Sequence, residues 1–115
     1  MKTDKMFTLH IRDEILFLEE NTKGLTFEKL DTDKVVQHFV QKSLEIIGEA
    51  SKKISDEQKT QCPAISWNSV SGMRDRLTHG YFDINWEIVW NVLQNDIQPL
   101  KKCIMKMISA NGWEE

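Results

Sequence analysis

The sequence predicts an all-α protein, an up-down bundle of about four or five helices folded as a single domain over residues 1–115. Three observations carry that prediction. Apolar residues recur at steps of three and four in each long stretch, which aligns them along one face of an α-helix. Nothing alternates with period two for long enough to suggest a sheet. At 115 residues, 40% hydrophobic and 29% charged, the chain suffices for one hydrophobic core and is too short for two.

Phe7, Ile11, Ile15 and Leu18 place a first helix that ends near Asn21-Thr22-Lys23-Gly24. A loop with a short turn at Phe27 to Leu30 follows, and Asp31 or Thr32 is the expected cap of a second long helix, accepting from a free backbone N–H of its first turn. Its core set is Val36, Val40, Leu44, Ile47, Ala50 and Ile54, with Val35, Phe39 and Ile46 broadening the stripe. A stripe that wide suits the central member of a bundle. Ser55-Asp56-Glu57-Gln58 has capping-box form and starts one more turn, which Cys62-Pro63 stops. Ser66 then precedes Trp67, Val70, Met73 and Leu77, the apolar face of a helix that Gly80 ends. In the last helical stretch Trp86, Trp90, Leu93, Ile97, Leu100, Ile104 and Met107 alternate steps of four and three, as in a heptad seam. Pro99 lies inside it, so a kink or a break is expected there.

Composition narrows the function classes. A net charge of −3 excludes a broad basic face for bulk nucleic-acid binding and leaves only a local positive site. No secretory signal core and no run near the roughly 20 apolar residues of a membrane span is present, so a cytoplasmic protein is expected. Cys62 and Cys103 are far apart in sequence, and in a reducing compartment both are expected as thiols that serve packing. His10 and His38 have no ligand-like spacing to each other or to either cysteine, so no metal site and no cofactor is assigned. The tryptophans on the heptad seam read as core rather than base-stacking platforms. Arg76, Glu19 and Glu20 read as solvated charges.

One segment stands apart: Arg74-Asp75-Arg76-Leu77-Thr78-His79-Gly80-Tyr81. On a continuous helix Arg74 and His79 point about 140° apart, so they converge only if the helix ends before His79. The adjacent Gly80 makes that ending possible.

Arg, four residues, His, one residue, Tyr is the signature of the HEPN superfamily, and Arg74, His79 and Tyr81 fill it. Leu44 to Ala50 resembles the central helix of the HepT-like branch, and Cys62-Pro63-Ala64-Ile65-Ser66-Trp67 resembles its approach to the active helix. The resemblance covers about Phe7 to Ile108. It implies a HEPN-like, dimeric bundle that acts as a metal-independent endoribonuclease on transfer or messenger RNA. It further implies the toxin role in a toxin–antitoxin pair, with an MNT-type nucleotidyltransferase as antitoxin. Two protomers, or a higher oligomer, bring their motifs together in that branch, and Tyr81 is the implied target of adenylylation.

The residue chemistry is compatible. RNA cleavage without a metal needs a group that moves the 2′-hydroxyl or leaving-group proton near neutral pH, which suits His79. The guanidinium of Arg74 suits the charge gathered on the phosphate oxygens in the transition state. Tyr81 offers a phenol that positions a phosphate or accepts a nucleotide group. Asp75 is a supporting residue that orients His79 or Arg74, and Glu49, beside Gly48, is a supporting partner for Arg74. Two rival readings stand beside this one. One is a non-catalytic HEPN binding module that partners a nucleotidyltransferase. The other is a structural helical adaptor that needs neither Arg74 nor His79.

Overall fold

The structure, a computed structural model, describes residues 3–72 and 84–114. Among them every regular element is helical: α1 (Asp4–Asn21), α2 (Phe27–Thr32), α3 (Lys34–Lys53), α4 (Asp56–Lys59), α5 over 67–72, α6 (Trp86–Asn91) and α7 (Ile97–Asn111). A π-helical segment, Val92–Asp96, joins α6 to α7. The all-α class expected from the periodicity is the class observed.

Local polar chemistry sets where each helix begins. Thr3 accepts from the N–H of Met6 at 3.4 Å and starts α1, and Gly24, at φ +69°, turns the chain out of the loop that follows. Thr26 starts α2 by accepting from Lys29 N at 3.2 Å. The cap of α3 is Asp33, not Asp31 or Thr32, because Oδ1 of Asp33 accepts from both Val35 N at 2.9 Å and Val36 N at 3.2 Å. Asp31 and Thr32 are instead consumed by α2, which runs longer than the single turn expected. Ser55 caps α4 through Gln58 N at 3.3 Å. The other half of that box is supplied from a distance, since Asp4 accepts from Ser55 N at 2.9 Å and from Ser55 Oγ at 2.7 Å. The first turn of α1 is thereby tied to the corner after α3, so the two long helices run antiparallel.

Their facing sides make the core. Ile11, Ile15 and Leu18 of α1, Val40, Leu44 and Ile47 of α3 and Leu100, Ile104 and Met107 of α7 are all buried in one cluster. The expected α3 stripe is too wide in one respect. Val35 is 74% exposed, and Phe39 and Ile46 are only half-buried. These residues lie on the flank of α3 that the other described helices leave uncovered.

Pro99 does not break the last rod. It sits in the first turn of α7, where a missing N–H costs least, and the mismatch is absorbed upstream. The N–H of Ile97 reaches back five residues to the carbonyl of Val92, a wider register typical of an inserted π turn. Beyond it the seam resumes through Ile97, Leu100, Ile104 and Met107, and Gly112, at φ +67°, closes α7.

The cysteines depart from expectation. Cys62 and Cys103 form a disulfide, with Cα atoms 5.9 Å apart, and are not separate packing thiols. Sequence distance misled here because the corner after α4 folds back onto α7. Lys106 Nζ donates to the carbonyl of Gln61 at 3.0 Å, and the side-chain amides of Gln58 and Asn111 exchange hydrogen bonds at 3.0 and 3.2 Å.

Closing a loop of 41 residues stabilises a fold by up to roughly 4 kcal/mol through the unfolded chain. Cys62→Ser, or reduction of the wild type, is therefore expected to lower the thermal midpoint by several degrees, read by circular dichroism with and without reductant. A second test concerns the α1–α7 contact. Glu19 accepts from Lys101 Nζ at 2.8 Å and Gln98 Nε2 at 2.6 Å, and those hydrogen bonds, Lys101 first, hold its carboxyl below the ordinary 4.5. A depressed folded-state pKa contributes stability above the unfolded value and loses it as pH falls through the folded one. Glu19→Gln is expected to cost under about 1 kcal/mol at neutral pH, with the difference from wild type vanishing in acid, as measured by denaturant titration at both pH values.

Candidate functional site

Arg74, Asp75, His79 and Tyr81 lie outside the described residues, and so does the expected pairing of Glu49 with Arg74, which needs residue 74. The structure does define how the chain enters and leaves that stretch. Entry is through the disulfide-anchored corner. Ile65 N donates to Cys62 O at 3.1 Å in a turn around Pro63 and Ala64, and Val70 N donates to Ser66 O at 3.1 Å in the first turn of α5. The Ser66 hydroxyl donates to Ser69 Oγ at 2.8 Å instead of capping.

Trp67 anchors the start of α5. It packs against the core cluster, as expected, and the ammonium of Lys59 lies 5.8 Å from its ring centroid, within cation–π range. Its indole Nε1 is buried with no hydrogen-bond partner among the described residues. Val70, the next apolar residue of the expected face, also packs on the core. The chain resumes at Ile84, and Asn85 caps α6 by accepting from Glu87 N at 3.0 Å and Ile88 N at 3.3 Å. Trp86 and Trp90 then pack against the core, with Trp90 edge-on to Phe27 at 6.3 Å. The described chain thus carries a core-packed tryptophan on each side of the motif stretch, Trp67 before it and Trp86 after it, and a helix cap at Asn85 on the later side.

On α3, Gly48 and Ala50 are buried and Glu49 is half-buried between them. A cavity of about 370 Å³ lies where α5 meets the π-helical segment, lined by Ser66, Ser69, Val70, Val92, Asp96 and Leu100 among others. Asp96 brings an acidic group to that cavity, and none of its described lining residues is basic. No group of His, Cys, Asp and Glu among the described residues is arranged to hold a metal ion, and no helix among them is long and apolar enough to cross a membrane. The disulfide is the feature of this neighbourhood that sequence reasoning missed, and no local pattern signalled it.

Comparison with known proteins places the chain. The family model described as ribonuclease HepT-like matches residues 11–107. A provisionally named RNase, TTE0752, of Caldanaerobacter subterraneus is 37% identical over 108 residues, covering 94% of this chain and 96% of that protein. A protein of Thermococcus cleftensis named as probable ribonuclease HepT is 38% identical over 100 residues, covering 87% and 91%. A provisionally named RNase, MJ0127, of Methanocaldococcus jannaschii is 33% identical over 107 residues, covering 90% and 88%. No solved structure matches the chain. With nearly the whole chain matched by the family model and by full-length relatives, the protein belongs to the ribonuclease HepT-like family of the HEPN superfamily.

Proposed function

We propose that this protein is a metal-independent endoribonuclease and the toxin of a toxin–antitoxin pair whose antitoxin is an MNT-type nucleotidyltransferase. The observation that carries the reading is the Arg74, His79, Tyr81 spacing inside the stretch that matches the family model. The names of the relatives support the ribonuclease part of it.

In this reading the RNA's own 2′-hydroxyl attacks the adjacent phosphorus. The 2′-oxygen–phosphorus bond forms, the bond to the 5′-oxygen breaks, and the products are a cyclic phosphate and a 5′-hydroxyl. His79 moves the proton at the attacking or the leaving oxygen, since imidazole exchanges protons near neutral pH. Arg74 binds the nonbridging oxygens as they gain charge, two N–H groups to two oxygens, which lysine does not reproduce. Tyr81 positions the phosphate and is the acceptor for a nucleotide group from the antitoxin. Asp75 orients His79 or Arg74, and Glu49 pairs with Arg74. Two protomers bring their motifs to a shared cleft, which doubles the local positive charge on an acidic chain.

Wild-type protein is expected to cleave transfer or messenger RNA in the presence of a chelator. His79→Ala should lose about 10²- to 10⁴-fold in rate with its helical circular dichroism unchanged. Cleavage that survives this substitution removes His79 from the chemistry, and a wild type that never cleaves points instead to a binding module. The antitoxin link has its own readout. Co-expression with a nucleotidyltransferase encoded beside it is expected to add one nucleotide at Tyr81, found by peptide mass spectrometry and absent from Tyr81→Phe.

A further inference from the structure

Among the described residues, Cys62 is the last buried one before the motif stretch. Beyond it none of residues 63–72 is buried, and Trp67 and Val70 touch the core only as half-buried side chains. On the side of the last rod this segment adjoins the cavity of about 370 Å³, which lies between Ser66, Ser69 and Val70 and the opposing Val92, Asp96 and Leu100. Few buried contacts and a neighbouring void mark a segment that opens at low cost while the core stays closed.

The start of that segment is fixed covalently. Cys62 N–H donates to Lys59 O at 3.1 Å, and Cys62 O accepts from Ile65 N at 3.1 Å, so one residue closes the turn after α4 and opens the turn into α5. Its sulfur is bonded to Cys103, in the middle of α7, where Ile104 and Met107 have no exposure. The hydrogen bonds that also tie the corner to α7, Lys106 to Gln61 and Gln58 with Asn111, are exposed to solvent and contribute modestly.

We propose that the Cys62–Cys103 disulfide is a redox latch on the motif stretch. Closed, it pins the entry to α5 against α7 and fixes the place from which the chain runs on to Arg74. Opened, it lets residues 63–72 shift toward the cavity while α1, α3 and α7 stay packed on one another. The opening reagent is a dithiol. One of its thiolates attacks the sulfur of Cys62, whose neighbours Pro63 and Ala64 are exposed. A mixed disulfide forms at Cys62, and the Cys103 thiolate leaves and takes a proton. The second thiolate of the reagent then displaces Cys62, which takes the other proton, and the reagent departs as its own disulfide. Two electrons pass from the dithiol to the cysteines, and a disulfide oxidant reverses both steps. Thiol-rich surroundings therefore open the latch and an oxidising challenge closes it. The effect on cleavage rests on the ribonuclease reading, whereas the loosening of residues 63–72 does not.

Oxidised, dithiothreitol-reduced and reoxidised protein are compared below the thermal midpoint of each, with Cys103→Ser as a form that cannot close. Amide hydrogen exchange read by mass spectrometry is expected to quicken over residues 63–72 in the reduced form and in Cys103→Ser, with residues 11–18 of α1 and 40–47 of α3 as protected as in the oxidised protein. RNA cleavage is expected to fall by roughly 10- to 100-fold on reduction, to return on reoxidation, and to stay low in Cys103→Ser with or without dithiol. Should Cys103→Ser not fold, the reduced wild type carries the same comparison. Exchange over 63–72 that does not change overturns the latch, and so does exchange that quickens equally along α1 and α3, because the bond then serves overall stability alone. Equal cleavage by oxidised and reduced protein overturns it as well. Faster exchange confined to 63–72 in a protein that cleaves in neither form supports the latch and counts against the ribonuclease reading.

Discussion

The buried face of α3 is the constraint on which the rest of the structure depends. Val40, Leu44 and Ile47 have no exposure at all, and they are covered from one side by Ile11, Ile15 and Leu18 and from another by the α7 seam. Removing that much apolar surface from water is the dominant favourable contribution to folding at this size. It is also non-directional, so it does not choose the ends or the register of the helices. The polar contacts do that. Asp4 on Ser55 sets α1 against the corner after α3, Glu19 on Lys101 and Gln98 sets it against α7, and the disulfide sets the corner itself against α7. The two polar contacts are worth little beside the core, yet together with the disulfide they leave one arrangement of three rods.

That division of labour explains what the sequence made legible. Core periodicity is a burial signal repeated many times along each helix, so the three rods could be read from it, down to Ile54 and Met107. A cap is a single residue, and Asp31, Thr32 and Asp33 are chemically equivalent candidates. Only the geometry of α2 decided among them. The π turn before Pro99 was legible as a disturbance and not as a form, because periodicity shows that register must be lost but not where it is absorbed. The disulfide was invisible for a different reason, as a pairing 41 residues apart is a property of the folded corner and not of any local pattern.

The candidate site follows another logic. Arg74, His79 and Tyr81 carry no burial periodicity, since polar groups of this kind are not placed by the core pattern. Their signal is a spacing, and a spacing becomes specific only when the surrounding chain matches the same family, as it does over residues 11–107. The fold's contribution near the motif is anchoring. Trp67 before it and Trp86 after it are held against the core, and each belongs to a helix of its own, α5 and α6.

The misreading of Val35 has a physical lesson of its own. A helix with apolar residues over a wide arc was taken to have its whole arc inside, but the arc of α3 is wider than α1 and α7 can cover. The surplus is not scattered. It adjoins the exposed Phe17 and is flanked by charges of opposite sign, whereas a random surface leucine or valine needs no explanation.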